Sequence, residues 1–298
     1  MSSPDPARPH RGTIHLCEAE VLSHEAHAAD QYILRVRAEA CAARAQPGSF
    51  AHLTCDDELP MRRPLSIMRV DPEAGWVEFL YKTHGHGLTR LSRRRPGERL
   101  SVLGPIGTPF RPDPARPRLL LLGGGVGIPP ILFLAESLAG DRRADWQPLV
   151  LMGSEIPFPF DIDQAPAPLA GLPASASAAL QPLESQGIAS RLSSAAGLPG
   201  CYPGYVTDLA RHWLDTLTAA ERNQVAIHAC GPTPMLRAVC ALAAEYALPC
   251  QVSLEEYMAC AVGGCAGCAV EIVRDGQRQM KRVCVDGPVF EAAEVRFQ

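Results

Sequence analysis

Four cysteines near the end of the chain have types and spacing that could hold iron. Cys260, Cys265 and Cys268 stand in Met258-Ala-Cys-Ala-Val-Gly-Gly-Cys-Ala-Gly-Cys, and Cys284 follows in Arg282-Val-Cys-Val-Asp-Gly-Pro. A C-x4-C-x2-C run with one distant cysteine is the plant-type pattern of a [2Fe–2S] cluster. Two irons bridged by two sulfides need four thiolates. A short loop supplies three, and a second segment folds back with the fourth. Between the ligands lie Ala261, Val262, Gly263, Gly264, Ala266 and Gly267, all small. Such residues let the backbone wrap a cluster and turn N–H groups toward its sulfurs. Zinc is the competing reading, but zinc sites usually pair two short C-x2–4-C units of similar form. The spacing favours iron, and with it one-electron transfer.

Other motifs suit a flavin and a pyridine nucleotide. In Met61-Arg-Arg-Pro-Leu-Ser-Ile-Met, Arg63 can pair with a dinucleotide pyrophosphate, because guanidinium binds phosphate well. Ser66 can reach the N5 edge of an isoalloxazine, and Pro64 fixes the backbone between the two. A charged strand end explains the same four residues, Arg63, Pro64, Leu65 and Ser66. In Lys82-Thr-His-Gly-His-Gly-Leu-Thr, the turn Gly85, His86, Gly87, Leu88 can offer backbone N–H groups to the other side of the pyrophosphate. His84 and His86 fit phosphate neighbours better than metal ligands. In Leu119-Leu-Leu-Leu-Gly-Gly-Gly-Val-Gly-Ile-Pro-Pro, Gly125 and Gly127 open a strand–turn–helix element to a dinucleotide, although Pro130 stands where the usual fingerprint has its third glycine. Cys230, Gly231 and Pro232 end a later apolar strand, at the edge where open α/β sheets bind ligands. A small thiol there leaves room for hydride transfer beside a nicotinamide; a structural cysteine is the alternative. Ser66 and Cys230 are the candidate catalytic residues.

Three kinds of element must position these groups. Residues 12–112 carry short alternating strands such as Tyr32–Arg37 and Trp76–Lys82, cut by glycine and proline, and predict an antiparallel β-barrel. After the proline-rich stretch 112–117, residues 117–249 alternate apolar strands (118–122, 147–152, 225–228) with helices (131–138, 208–217, 234–246). That pattern predicts an α/β unit around a parallel sheet. Residues 165–179, rich in Ala, Pro and Ser, read as a loop. Residues 250–298 form a small cysteine-bearing segment.

The 298 residues are enough for two domains and a small third. A net charge of −4 gives no reason to expect nucleic acid or an anionic membrane. Arg90, Arg93, Arg94, Arg95 and Arg99 form a basic run that reads as a solvated barrel rim, with a docking patch as the alternative. Of eleven cysteines, seven lie outside the cluster motif. The start of the chain lacks the apolar core of a signal peptide, and no stretch has the roughly 18 apolar residues of a membrane span. A reducing cytoplasm, where those thiols stay free, is expected.

Taken in order, R-P-x-S, G-x-G, G-P-x-G, G-G-G-x-G-x-x-P and C-G-P resemble the ferredoxin-reductase-like flavoprotein superfamily. The cysteine loop and its Asp286-Gly-Pro-Val-Phe290 tail resemble the electron-transfer subunits of class 1B dihydroorotate dehydrogenases. The resemblance implies FAD, a [2Fe–2S] cluster and an NAD(H) site in one subunit. Its partner would be an FMN-containing dihydroorotate dehydrogenase catalytic subunit in pyrimidine (UMP) synthesis, in a heterotetramer of two subunits of each kind. By position it assigns Arg63, Pro64, Leu65 and Ser66 to FAD, and Gly85, His86, Gly87 and Leu88 to its diphosphate. Gly125, Gly127, Cys230, Gly231 and Pro232 go to the nicotinamide side, and the four cysteines to the cluster. A reductase feeding a hydrogenase, sulfite reductase or oxygenase is the alternative within the same chemistry, and an iron–sulfur sensor on an inactive reductase scaffold is one outside it.

This chain departs from the pattern twice. Leu88 stands where threonine is usual, with Thr89 one place later, which puts one hydroxyl contact to the diphosphate in doubt. Ala261 replaces a usual glycine, a strain of roughly 1 kcal/mol or more if that position needs positive φ. A charge near the adenosine ribose would choose between NADH and NADPH, and Glu155, Asp161 and Arg191 point both ways.

Overall fold

The computed structural model describes residues 12–297. The first eleven residues, where the absence of a signal peptide was read, lie outside the described residues.

The first half closes into a barrel. Its elements are β1 (His15–His27), β2 (Gln31–Arg37), α1 (Glu39–Ala42), β3 (Phe50–Leu53), β4 (Arg63–Asp71), β5 (Trp76–Lys82), α2 (Gly85–Leu91) and β6 (Arg99–Ile106). The strands close in the order β1-β2-β5-β4-β3-β6, every pair antiparallel. Period-two alternation does the sorting: Leu34, Val36, Val77, Phe79 and Tyr81 fill the interior, while Arg35 and Arg37 point out.

The second half is layered. Its elements are β7 (Arg118–Gly124), α3 (Ile128–Ala139), β8 (Gln147–Gly153), β9 (Ile162–Gln164), β10 (Ala178–Leu180), α4 (Gln181–Glu184), β11 (Ala189–Ser193), α5 (Val206–Thr216), α6 (Ala219–Arg222), β12 (Val225–Cys230), α7 (Thr233–Glu245) and β13 (Cys250–Ser253). The cysteine segment adds β14 (Ala269–Arg274), β15 (Gln277–Arg282), β16 (Val289–Glu291) and β17 (Val295–Arg296). One sheet runs β11-β8-β7-β12-β13-β16 and a smaller one β15-β14-β17. Leu119, Leu120, Leu121 and Leu122 are all fully buried because helices cover both sheet faces, which is why β7 reads as an unbroken apolar run. The stretch 165–179 is mostly turns between the paired strands β9 and β10, and its last two residues belong to β10.

The large sheet is parallel except for β16, which pairs antiparallel with β13 through Val252↔Phe290 and Ser253↔Val289. The cysteine segment thus lends a strand to the large sheet. Val289 and Phe290 are apolar and nearly buried, which makes that edge worth closing. The same tail touches the barrel exit, where Thr108 pairs with Pro288. Ala261, Cys268, Val283 and Cys284 share one core with Phe50 of the barrel and Leu120 of the sheet.

Barrel and sheet are also pinned by charge. Arg69 on β4 donates to both carboxylate oxygens of Glu136 on α3 at 2.8 and 2.9 Å, and to Glu78 at 3.3 Å. Glu78, itself only 4% exposed, accepts a second bond from Arg35 at 2.8 Å. Breaking a buried pair from one side leaves uncompensated charge, costing about 3–5 kcal/mol when burial is complete. Arg69 is partly exposed, so Arg69→Ala is expected to cost about 2 kcal/mol. Denaturant unfolding measures this, and an unchanged midpoint would remove the clamp from the account.

The basic run is a rim. Arg90 lies 3.8 Å from both Asp56 and Glu58, and Arg94 pairs with Asp57 at 3.5 Å and Glu98 at 3.8 Å. No helix among the described residues is long and apolar enough to cross a membrane.

Candidate redox site

A cleft of about 1190 Å³ runs where the barrel, the sheet and the cysteine segment meet. One wall is Arg63, Pro64, Leu65 and Ser66 on β4, and another is Gly85, His86 and Leu88 at the start of α2. Val126 and Thr233 come from the two nucleotide-turn motifs, and Glu255 to Ala259 with Gly267 come from the cluster segment. Arg63 and Gly87 are in close contact: a Cβ on Gly87 would sit 2.8 Å from the guanidinium Nε. The glycine thus leaves room for the arginine to lie against the helix start in this position. The first-turn N–H groups of α2 have no intrahelical acceptor, and no side chain caps them. With Arg63 beside them they suit a pyrophosphate. Thr89 gives its hydroxyl to the Gly85 carbonyl at 2.9 Å, and Leu88 takes the cleft wall.

The cysteines sort into two pairs. Cys260 and Cys265 are on the open side: the Cys265 N–H donates to Cys260 Sγ at 3.4 Å, and Cys265 is exposed. Cys268 and Cys284 are enclosed, 2% and 1% exposed, with their sulfurs 3.4 Å apart. Among the described residues, no group of three or more His, Cys, Asp or Glu side chains converges as on a single metal ion. Two pairs of thiols fit two irons better than one zinc. Burial pushes the Cys260 thiol up, but N–H groups of Val262, Cys265 and Gly264, with the Cys265 side chain, outweigh it and hold the thiol at about 7. Burial, then Cys268, pushes Cys284 up to about 12. The loop thus already aims donors at sulfur, as a cluster requires.

Ala261 has φ of +55° and is 1% exposed, so the alanine does sit where glycine is easier. Ala261→Gly is expected to raise stability by about 1 kcal/mol, the left-handed penalty less the entropy of the glycine. Thermal unfolding reads it, and a lowered midpoint would mean that the buried methyl contributes more than its backbone costs.

On the nucleotide side, Gly125 has φ of +54° and Gly127 packs directly on the other motif. A Cβ at Gly127 would lie 2.4 Å from both the Cys230 carbonyl carbon and the Gly231 nitrogen. Cys230 is fully buried at the end of β12. Burial and then Glu255 push its thiol well above the usual range, against hydrogen bonds with Ser253 and Gly231. Burial thus favours the neutral thiol there. Ser66 lies on the cleft wall; Cys230 does not line it, nor do Gly125, Gly127, Gly231 and Pro232.

Sequence reasoning missed part of the cleft. Glu255 lines it with its surface open to the cleft, and the protein packed around it pushes its carboxyl up to about 7. Tyr257 stands at its edge, 89% exposed. The Leu-Glu-Glu-Tyr-Met run gave no periodic signal, and only proximity to the cysteines could have flagged it. Of the three ribose candidates, Arg191 is 2% exposed and held by Glu184 at 3.4 Å and by the carbonyls of Ser190 and Ala167. It is not free to receive a phosphate. Glu155 is exposed two residues past β8.

Residues 255–296 match the family model described as the iron-sulfur cluster binding domain of dihydroorotate dehydrogenase B. The chain is 32% identical to the dihydroorotate dehydrogenase B (NAD(+)) electron transfer subunit of Shouchella clausii (strain KSM-K16), over 90% of this chain and 93% of that one. It is 30% identical to the corresponding subunit of Desulforamulus reducens, over 94% and 98%. Among solved structures it is similar to the NADH-dependent reduced ferredoxin-NADP oxidoreductase, with a TM-score of 0.74, 24% identity and coverage of 94% and 90%. The ferredoxin reductase of carbazole 1,9a-dioxygenase follows at a TM-score of 0.60, with 23% identity and coverage of 82% and 68%. At those identities the likeness is one of fold.

Proposed function

The chain belongs to the family of electron transfer subunits of dihydroorotate dehydrogenase B, and from that premise we propose that it links NAD(H) to an FMN-containing catalytic subunit in a heterotetramer of two subunits of each kind. It is an oxidoreductase subunit that uses NAD(H), FAD and a [2Fe–2S] cluster, and it serves pyrimidine (UMP) biosynthesis. Its seven further free thiols suit the cytoplasm. The observation that carries the reading is the shared cleft, whose walls hold both the arginine–serine element and the start of the cluster loop.

When bound, the cofactors convert a two-electron hydride exchange with NAD(H) into single-electron transfer. The chain's residues position that chemistry. Arg63 and the N–H groups from Gly85 to Leu88 hold the FAD diphosphate, with His86 beside them. Pro64 and Leu65 shape the wall, and the Ser66 hydroxyl faces the flavin edge. Gly125 and Gly127 admit the dinucleotide, and Cys230, Gly231 and Pro232 bound the nicotinamide side. The raised thiol of Cys230 keeps a negative charge away from the hydride. Cys260, Cys265, Cys268 and Cys284 hold the cluster. The exposed side, at Cys265 and the 49% exposed Val262, is where a partner can approach.

Co-expression with an FMN-bearing dihydroorotate dehydrogenase tests the partner. One complex with equal subunits, equal FAD and FMN, and a mass of two plus two is expected. A chain that stays apart from that subunit but reduces a hydrogenase, sulfite reductase or oxygenase component would favour the other reading.

A further inference from the structure

A histidine that none of the cofactor motifs uses lies under the cleft. His52 on β3 is 0% exposed, and neither of its ring nitrogens has a hydrogen-bond partner. Register explains its position. His52 lies opposite Pro64 of β4, and Phe50 lies opposite Ser66. Alternate residues of a strand share a face. Phe50, Pro64 and Ser66 all line the cleft, so His52 is on the cleft side of the barrel wall, whereas its strand neighbours Ala51 and Leu53 fill the barrel interior.

The ring faces the backbone carbonyls of Arg62 and Met258, neither aligned into a formed hydrogen bond. These two residues start different machines. Arg62 leads into the Arg63–Ser66 element, and Met258 leads into Cys260; both line the cleft. Burial, then Arg62, pushes the imidazole down to about 4, so at neutral pH it is uncharged and has a single N–H. One N–H can serve one of the two carbonyls. Packing alone is better met by leucine, which buries no polar atom.

Resting on the flavin and cluster reading above, we infer that His52 is a positioning residue joining the two cofactor sites. Its N–H closes on the Met258 carbonyl when a dinucleotide fills the cleft. That contact fixes the segment leading to the first cluster ligand against the flavin-binding strand.

Wild type, His52→Leu and His52→Gln, purified anaerobically as full chains with their cofactors, test this. Glutamine keeps an N–H donor; leucine keeps only volume. The readouts are FAD dissociation by fluorescence, the cluster midpoint potential by EPR-monitored titration, and amide exchange at residues 258–260. His52→Leu is expected to hold FAD about tenfold more weakly, to shift the potential and to speed the exchange, as loss of an outer contact does at metal sites. His52→Gln should restore at least half of each change. Wild-type values in His52→Leu overturn the inference. A glutamine variant no better than leucine also overturns it, by reducing His52 to a space-filler. If His52→Leu does not fold, His52→Met replaces it under the same criteria. A wild-type chain without flavin or iron defeats the cofactor reading itself, before any variant is compared.

Discussion

Cys284→Ser is expected to leave a protein whose flavin is still reduced by NADH but whose electrons no longer leave. Cys284 is 1% exposed and sits 3.4 Å from Cys268, away from the flavin wall of the cleft. Its removal strips one thiolate from the enclosed pair and touches neither Arg63–Ser66 nor the glycine turns. Losing an outer partner of a metal ligand typically costs 10–100-fold in affinity, so losing a ligand should cost about 100-fold or more. The cluster absorbance and EPR signal should vanish, and reduction of a one-electron acceptor or of the catalytic subunit should fall by about two orders of magnitude. Bleaching of the flavin by NADH should remain within about twofold. A Cys284→Ser protein with full iron and sulfide would show that the fourth ligand lies elsewhere.

Gly127→Ala is expected to fail at the other end of the path. The added methyl would meet the backbone of Cys230 and Gly231 at 2.4 Å, and backbone cannot swing aside as a flexible side chain can. The turn after β7 and the end of β12 must part. Overpacking of this kind costs about 1–3 kcal/mol. The functional loss should exceed the stability loss, because both displaced segments are proposed to bound the nicotinamide site and a shift of about 1 Å can cost about 100-fold in rate. Stopped-flow reduction by NADH should therefore slow by about that factor, while FAD and iron content stay at wild-type levels. A Gly127→Ala protein reduced at the wild-type rate would mean that the two motifs do not meet the nucleotide together.

Much of this was legible in the sequence because the signals are local. The alternation in Tyr32–Arg37 and Trp76–Lys82 follows from one covered strand face, and the unbroken Leu119–Leu122 run follows from two. The cysteine spacing is itself a coordination pattern. Even the strain at Ala261 could be anticipated, since a residue standing for glycine in a tight loop tends to inherit its φ. What stayed hidden depends on segments far apart in the chain. No periodicity announces that Val289 and Phe290 complete the nucleotide sheet, because three residues are too few to alternate. Glu255 to Met258 became a cleft wall only once β13 and the cysteine loop were placed. His52 carries no local signal at all, since what sets it apart is the distant Met258 segment beside its ring. Arg191 was hidden for a different reason: its charge is consumed by Glu184, by the carbonyl of its neighbour Ser190 and by that of Ala167.

The central claim is that one chain joins NADH, FAD and a [2Fe–2S] cluster. The most direct test is the visible spectrum of anaerobically purified protein before and after NADH, with iron and acid-labile sulfide assayed on the same sample. The account predicts two irons and two sulfides per flavin, and flavin and cluster bands that both bleach. Flavin that bleaches in a protein without iron or sulfide would contradict it, leaving a simple flavin reductase with four idle cysteines.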